Sequence, residues 1–148
     1  MTKDFVKAKG KVTLVLTAPD GTVKETQEVD NLVVQTGLNY IASRMKDATA
    51  TAMTHMEVGT SSTAATLAQT ALIAAVASSR TALTSTIVTT SSVAYACTFG
   101  AGVGTGALTE AGIFNASSSG TMLCRTVFSV INKGAADTLT ITWTIAVS

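Results

Sequence analysis

The sequence predicts a mainly β protein, an antiparallel two-sheet β-sandwich, jelly-roll-like, of about eight strands with one short α-helix. Three observations predict it. Threonine and serine make up roughly a quarter of the 148 residues, and the branched Cβ of threonine favours a pleated surface over a helix. The C-terminal run alternates Leu139, Ile141, Trp143, Ile145 and Val147 with Thr138, Thr140, Thr142 and Thr144, the period of two that sends one set of side chains to a core and the other to solvent. Short apolar runs elsewhere are separated by turn-forming clusters such as APDGT at 18–22 and SSSG at 117–120, a spacing that suits a sandwich better than a parallel sheet.

A chain of this length forms one domain and buries a core without metals or disulfides. We divide it into an N-terminal arm, 1–10, and a single β-sandwich domain, 11–148. The arm mixes Lys3, Lys7 and Lys9 with Asp4 and Phe5 and has no period. Phe5 is a costly side chain to leave in water, so Phe5, Val6 and Lys7 are read as a contact segment that reaches a neighbouring subunit. The run 11–17, with Val12, Leu14 and Leu16 alternating, and the polar run 23–29 flank the turn that holds Pro19 and Gly21. They predict a hairpin whose second strand, bearing Lys24, Glu25, Gln27 and Glu28, is a sheet edge.

A helix is predicted from Thr36, as N-cap, to about Asp47, because Leu38, Ile41, Ala42 and Met45 fall at i, i+3, i+4 and i+7 and give one apolar stripe. A strand is expected over 51–58, followed by a long Ser/Thr/Ala-rich segment to about Gln69. Loops of that length usually have a function. Thr60, Ser61, Ser62, Thr63, Thr66 and Leu67 are therefore read as an extended contact segment that orders on a partner. The run 71–77 fits helix or strand equally. Strands at 83–90 and 93–99 follow, the second placing Val93, Tyr95, Cys97 and Phe99 on one face. Two more runs, with Leu108, Ile113 and Phe114 in the first and 122–131 as the second, are joined by the Ser117–Gly120 turn, and the glycines from Gly100 to Gly106 read as hairpin joints.

Composition narrows the function classes. Charged residues are 13% of the chain, against roughly 25% in ordinary soluble proteins, and a weakly charged surface suits a protein that sits against neighbours. A net charge of +1 does not support nucleic-acid binding, since no basic excess would release counterions from phosphate. The longest apolar run, 71–77, is too short to cross a bilayer and the N-terminus has no apolar leader. Neither nucleic acid nor membrane is expected as a partner. Cys97 and Cys124 are the only cysteines, and both read as small core residues with free thiols.

Few residues are of the types that carry chemistry. His55 is the only histidine; with Glu57 two positions on, or with Glu110, it is the one conceivable acid/base pair, yet no nucleophile motif accompanies it. The glycine-rich loop matches two of the three glycines of a dinucleotide fingerprint, Gly102 and Gly104, and LTEAGIF rather than an amphipathic helix follows. Asp20 and Asp30 lie at turns, where carboxylates bond local backbone. Glu110, alone within TEAGIF, is expected to accept backbone amides or to pair with Arg125 across the hairpin. No cofactor, metal or enzymatic activity is expected.

The runs LTEAGIFNA at 108–116 and TMLCRTVF at 121–128, together with NLVVQTG at 31–37, VGTSSTAA at 58–65 and TALIAAV at 70–76, resemble short virion proteins of tailed bacteriophages, described as head decoration, cement or tail-fibre proteins. The resemblance covers most of the chain, and Ala75 stands where it implies an acidic residue. It implies a capsid decoration protein that assembles as a dimer or trimer in the bacterial cytoplasm. Such a protein binds the outer surface of the major capsid protein shell and stabilises it. A tail-fibre or other tail-associated role in host attachment is the alternative it leaves open.

Overall fold

The alternating C-terminal run is a strand in the computed structural model, which describes residues 7–46 and 50–148. This strand, β10 (Thr138–Val147), buries Leu139, Ile141, Trp143 and Ile145 and turns its threonines outward. It pairs antiparallel with β1 (Ala8–Thr17) on one side and β7 (Ser92–Phe99) on the other. With β2 (Val23–Asp30) and β6 (Ser85–Thr89) at the edges, the first sheet runs β2-β1-β10-β7-β6. The second comprises β3 (Leu32–Val33), β9 (Met122–Lys133), β8 (Gly106–Phe114), β4 (His55–Gly59) and β5 (Thr81–Ala82), in that order. All pairings are antiparallel. The protein is a two-sheet β-sandwich with one short helix, as its composition and periodicity predict. Among the described residues there are ten strands, eight of five residues or more and two of only two residues.

The core lies between the inner faces. Val12, Leu14 and Leu16 from β1 and Tyr95, Cys97 and Phe99 from β7 meet Met56, Val58, Leu108, Ile113 and Ile131 from the second sheet. Trp143 is wholly buried and its Nε1 has no hydrogen-bond partner among the described residues, so it contributes volume there, not a polar contact. Cys97 and Cys124 are free and buried, and they sit on strands of different sheets. Burial pushes the Cys97 thiol up to about 12 and the Cys124 thiol well above its ordinary value, which leaves both unreactive.

The second sheet is buried on its outer face too. Every residue from Glu110 to Phe114 and from Met122 to Thr126 is buried, and Phe114 and Met122 pack outside the sheet with Val34 and Leu72. That outer cluster is the small second core under the segment joining β4 to β5. The helix, α1 (Gln35–Lys46), packs against β9.

The helix sits in a different rotation from the predicted one. Leu38 is 37% and Met45 82% exposed, whereas Gly37 is buried and Tyr40 and Ile41 pack on the core. The cause is Gly37: a Cβ there would collide with the Leu123 carbonyl oxygen, so the closest approach of helix to sheet selects the glycine face over the leucine face. Thr36 is not the N-cap. It lies inside the helix and donates its hydroxyl to the Met122 carbonyl.

Three other boundaries differ. The arm is shorter than predicted: Ala8 to Gly10 belong to β1, and Lys7 exchanges backbone hydrogen bonds with Ser148. Phe5 and Val6 lie outside the described residues. The strand expected at 51–58 is β4, beginning at His55, and 71–77 is neither helix nor strand, holding one isolated bridge from Ala75 to Gly59. The glycines at 100–106 are not hairpin joints, because β7 and β8 belong to different sheets. They make the crossover, with φ of +78° at Gly102 and +63° at Gly104, a region that only glycine enters without strain. The Lys133 ammonium donates to the Gly100 carbonyl and holds this crossover.

The turns behave as expected. Asp20 accepts the Thr22 amide beside Gly21 at φ +89°, and β2 is the polar edge of its sheet. That edge is tied to the β9–β10 turn by Lys24, whose ammonium lies 2.8 Å from Asp137 Oδ2. The same oxygen accepts the Gly134 amide.

Two predictions follow from these contacts. Gly37→Leu forces the helix off β9 and lowers unfolding stability by about 1–3 kcal/mol, the range for overpacking, as read by urea titration. For Asp137, the Lys24 hydrogen bond, then the Gly134 amide, hold the carboxyl below its ordinary value of 3.8. A group with a depressed folded-state pKa stabilises above its unfolded pKa and loses that contribution as pH falls through the folded value. Asp137→Asn is therefore less stable than the parent at pH 7, and the gap closes as both are titrated below pH 3.8. Thermal melts over the acid range measure it.

Candidate functional site

The segment read as a contact loop, 60–69, lies over the outer face of the second sheet, fastened there from beneath by one carboxylate. β8 enters with Leu108 pointing to the core, and its pairing with β9 shifts between Leu108 and Glu110. This irregularity reverses the alternation, so Ala111 and Ile113 face the core while Glu110, Gly112 and Phe114 face outward under the loop. A bulge re-aims a side chain in this way. On β9, Arg125 sits diagonally across from Glu110, whose direct partner is Val127, within reach of a long side chain.

Glu110 and Arg125 are both fully buried, with Arg125 Nε 3.0 Å from Glu110 Oε1. The carboxylate also accepts three backbone amides, from Ser61 at 3.0 Å, Ile73 at 3.0 Å and Ala74 at 2.8 Å. Four donors on one carboxylate satisfy it without water. Gly59 makes room: a Cβ there would stand 2.6 Å from Glu110 Oε2 and from the Ala74 carbonyl. Arg125 Nη1 donates to the Thr63 carbonyl at 2.8 Å and to Gln69 Oε1 at 3.2 Å. The loop is then closed on itself by Gln69, which accepts from the Thr66 amide and donates to the Ala64 carbonyl. The Leu67 carbonyl accepts the first amide of α1, that of Gln35.

A second cation fastens the end of the segment. The Arg80 guanidinium lies 3.7 Å from the centre of the Phe114 ring and donates to the carbonyls of Ala116 and Ser119 in the β8–β9 turn. Its Nη2 donates to Glu57 at 3.3 Å. Nε also stands 3.3 Å from Glu57 Oε2, an ion contact whose angle lies outside hydrogen-bond geometry, which leaves Nε without a hydrogen bond.

The loop expected to order on a partner is bonded within the chain itself, through Ser61, Thr63 and Gln69 to the buried pair beneath it. Thr60, Ser62, Thr63, Thr66 and Leu67 are exposed and Ser61 is half-buried. They form one uncharged surface, with Leu67 49% exposed at its apolar point. Lys7, the described residue of the arm, is exposed beside Ser148 on the first sheet, and the structure does not bring it to the loop.

The acid/base pair is not assembled. Glu57 is held by Arg80, and His55 Nδ1 pairs with the Thr54 hydroxyl at 2.7 Å. Glu110 is occupied by four donors. Among the described residues no three metal-ligating side chains gather, and no helix is long and apolar enough to cross a membrane. Compared with described protein families, curated protein sequences and solved structures, the chain matches none of them.

The Glu110–Arg125 pair was readable as a lone carboxylate in an apolar run with a cation on the next strand. The roles of Ser61, Gln69 and Arg80 were not, because no local pattern marks a backbone amide or a neutral amide side chain as the partner of a buried charge. The fastening predicts a coupled response. Glu110→Ala leaves Arg125 buried without its partner and costs about 3–5 kcal/mol, with hydrogen exchange at the Ser61, Ile73 and Ala74 amides rising together. The double variant Glu110→Leu, Arg125→Met loses less than the two single losses summed, and a double-mutant cycle measures the coupling.

Proposed function

We propose that this chain is a structural protein of the bacteriophage virion, a capsid decoration (cement) protein without enzymatic activity. It would sit on the outer surface of the major capsid protein shell as a homo-oligomer, a dimer or trimer assembled in the bacterial cytoplasm. The reading begins from the resemblance of LTEAGIFNA, TMLCRTVF and the upstream runs to phage virion proteins. The observation that carries it is the contact loop: an uncharged surface, Thr60 to Leu67, held rigid by buried Glu110 and Arg125.

A surface fixed in advance binds without the ordering cost that a mobile loop incurs. Its neutrality favours contact by shape and hydrogen bonding over electrostatic steering, which also fits a protein partner better than nucleic acid or a charged membrane. A standard interface buries about 800 Å² on each side. Repetition over the shell multiplies a modest single contact through effective concentration.

Purified shells and the purified chain provide the test. The chain co-sediments with shells, and complete particles withstand a higher temperature than shells lacking it. Leu67→Asp with Thr63→Asp weakens co-sedimentation by tenfold or more and leaves the melting temperature of the free protein within a few degrees. Equal heat resistance of shells with and without the chain would defeat the cement role, and attachment to host cells in place of shells would move it to the tail.

A further inference from the structure

We propose that β6 is a self-association edge, pairing antiparallel with β6 of a second copy so that two five-stranded sheets become one of ten. The inference deepens the expectation of a homo-oligomer and rests on that part of the reading alone.

An edge strand carries unpaired backbone donors and acceptors, and natural sheets protect such edges with charge, proline, a bulge or shortness. Three of the four edges here are protected. β2 bears Lys24, Glu25 and Glu28, while β3 and β5 are two residues long. β6 has none of these devices. It is Ser-Thr-Ile-Val-Thr, exposed at all five residues, and its pairing with β7 is regular throughout. No charged residue occurs between Arg80 and Glu110, and the only proline of the chain is Pro19.

Both faces of β6 invite cover. Ile87 is 58% exposed on the outer face, and Val88 is 70% exposed on the inner face, opposite Val93. The inner face of β6 therefore forms one wall of an apolar groove of about 310 Å³, whose other walls include Tyr95, Val93, Ile41 and Tyr40. An open sheet edge of this kind can be extended by another strand.

A second copy fits best. β6 itself carries no charge, the one cation of the groove being Arg44 on the helix wall, and an identical strand matches β6 in length and neutrality. Antiparallel pairing of identical strands requires a two-fold axis, and centring that axis on Ile87 is the register that pairs all five residues. Ile87 then faces Ile87 of the partner subunit on the outer surface. On the inner surface each Val88 falls opposite Thr86 across the new ladder, at the mouth of the groove. A five-residue ladder is small beside a standard interface, so the expected dissociation constant is on the order of micromolar.

Sedimentation velocity of the full chain, with oxidative cross-linking of cysteine variants, tests this. The parent dimerises with rising concentration, and Val88→Lys, at an exposed position that leaves the melt unchanged, weakens dimerisation by tenfold or more. Ile87→Cys forms a disulfide-linked dimer on oxidation, read against the buried thiols of Cys97 and Cys124 as background, while Val23→Cys on the opposite edge does not. Should Val88→Lys disturb the fold, the Ile87→Cys cross-link decides alone. A parent that stays monomeric at every concentration overturns both the edge pairing and the oligomer expectation. An oligomer whose mass Val88→Lys does not alter, with no Ile87→Cys cross-link, overturns the edge pairing and leaves the oligomer standing.

Discussion

The outer half of this protein depends on a buried ion pair. Removing Glu110 and Arg125 from water costs several kcal/mol for each ion, and their mutual attraction offsets that only when the remaining lone pairs and protons are also satisfied. Here most of that satisfaction comes from the chain that covers them, with Arg125 Nη2 left without a hydrogen bond among the described residues. Ser61, Ile73 and Ala74 supply amides, and Thr63 supplies a carbonyl. The pair cannot be buried unless the segment from Ser61 to Ala74 is in place, and that segment has no regular structure to hold it there otherwise. Each is the condition of the other.

The consequence reaches the apolar packing. Leu72 rides between the amides that Glu110 holds, and it closes the outer cluster with Val34, Phe114 and Met122. The segment therefore turns a sheet with one buried face into one with two, and β8 and β9 show it by losing their alternation of exposed and buried residues. The bulge before Glu110 is the local cause: without it the carboxylate would point into the main core, where no donor waits.

The legibility of the sequence follows from how far each signal travels along the chain. Period-two runs such as 139–147 and 93–99 declare their strands and faces, and Pro19 with Gly21 declares a turn, because these depend on neighbours within a few residues. The helix was legible as a helix, while its rotation was not. Leu38 and Met45 made the better stripe on paper, but Gly37 allowed a closer approach to Leu123 than any side chain could. The sheet assignment of β7 and β8 was equally hidden, since a glycine-rich connection looks alike within a sheet and between sheets. The contact loop was visible as length and composition only, and its rigidity rests on partners up to 62 positions away, as in Arg125 with Thr63.

Low charge is distributed unevenly, and the unevenness has meaning. Glu110, Arg125, Glu57, Arg80, Lys133, Lys24 and Asp137 are engaged in fastening loops and turns to the sheets, and none of the other charges falls in 60–67 or in β6. The loop at 60–67 covers the second sheet, whereas β6 is an edge of the first, and the two share no residue. A protein with neutral surfaces in two separate places can meet two partners at once without either contact obstructing the other. Under the proposed role, one contact would fix the protein to what it covers and the other would link it to its own kind. The buried pair ties the loop to the second sheet, so that a partner on the loop would not disturb the free edge of the first.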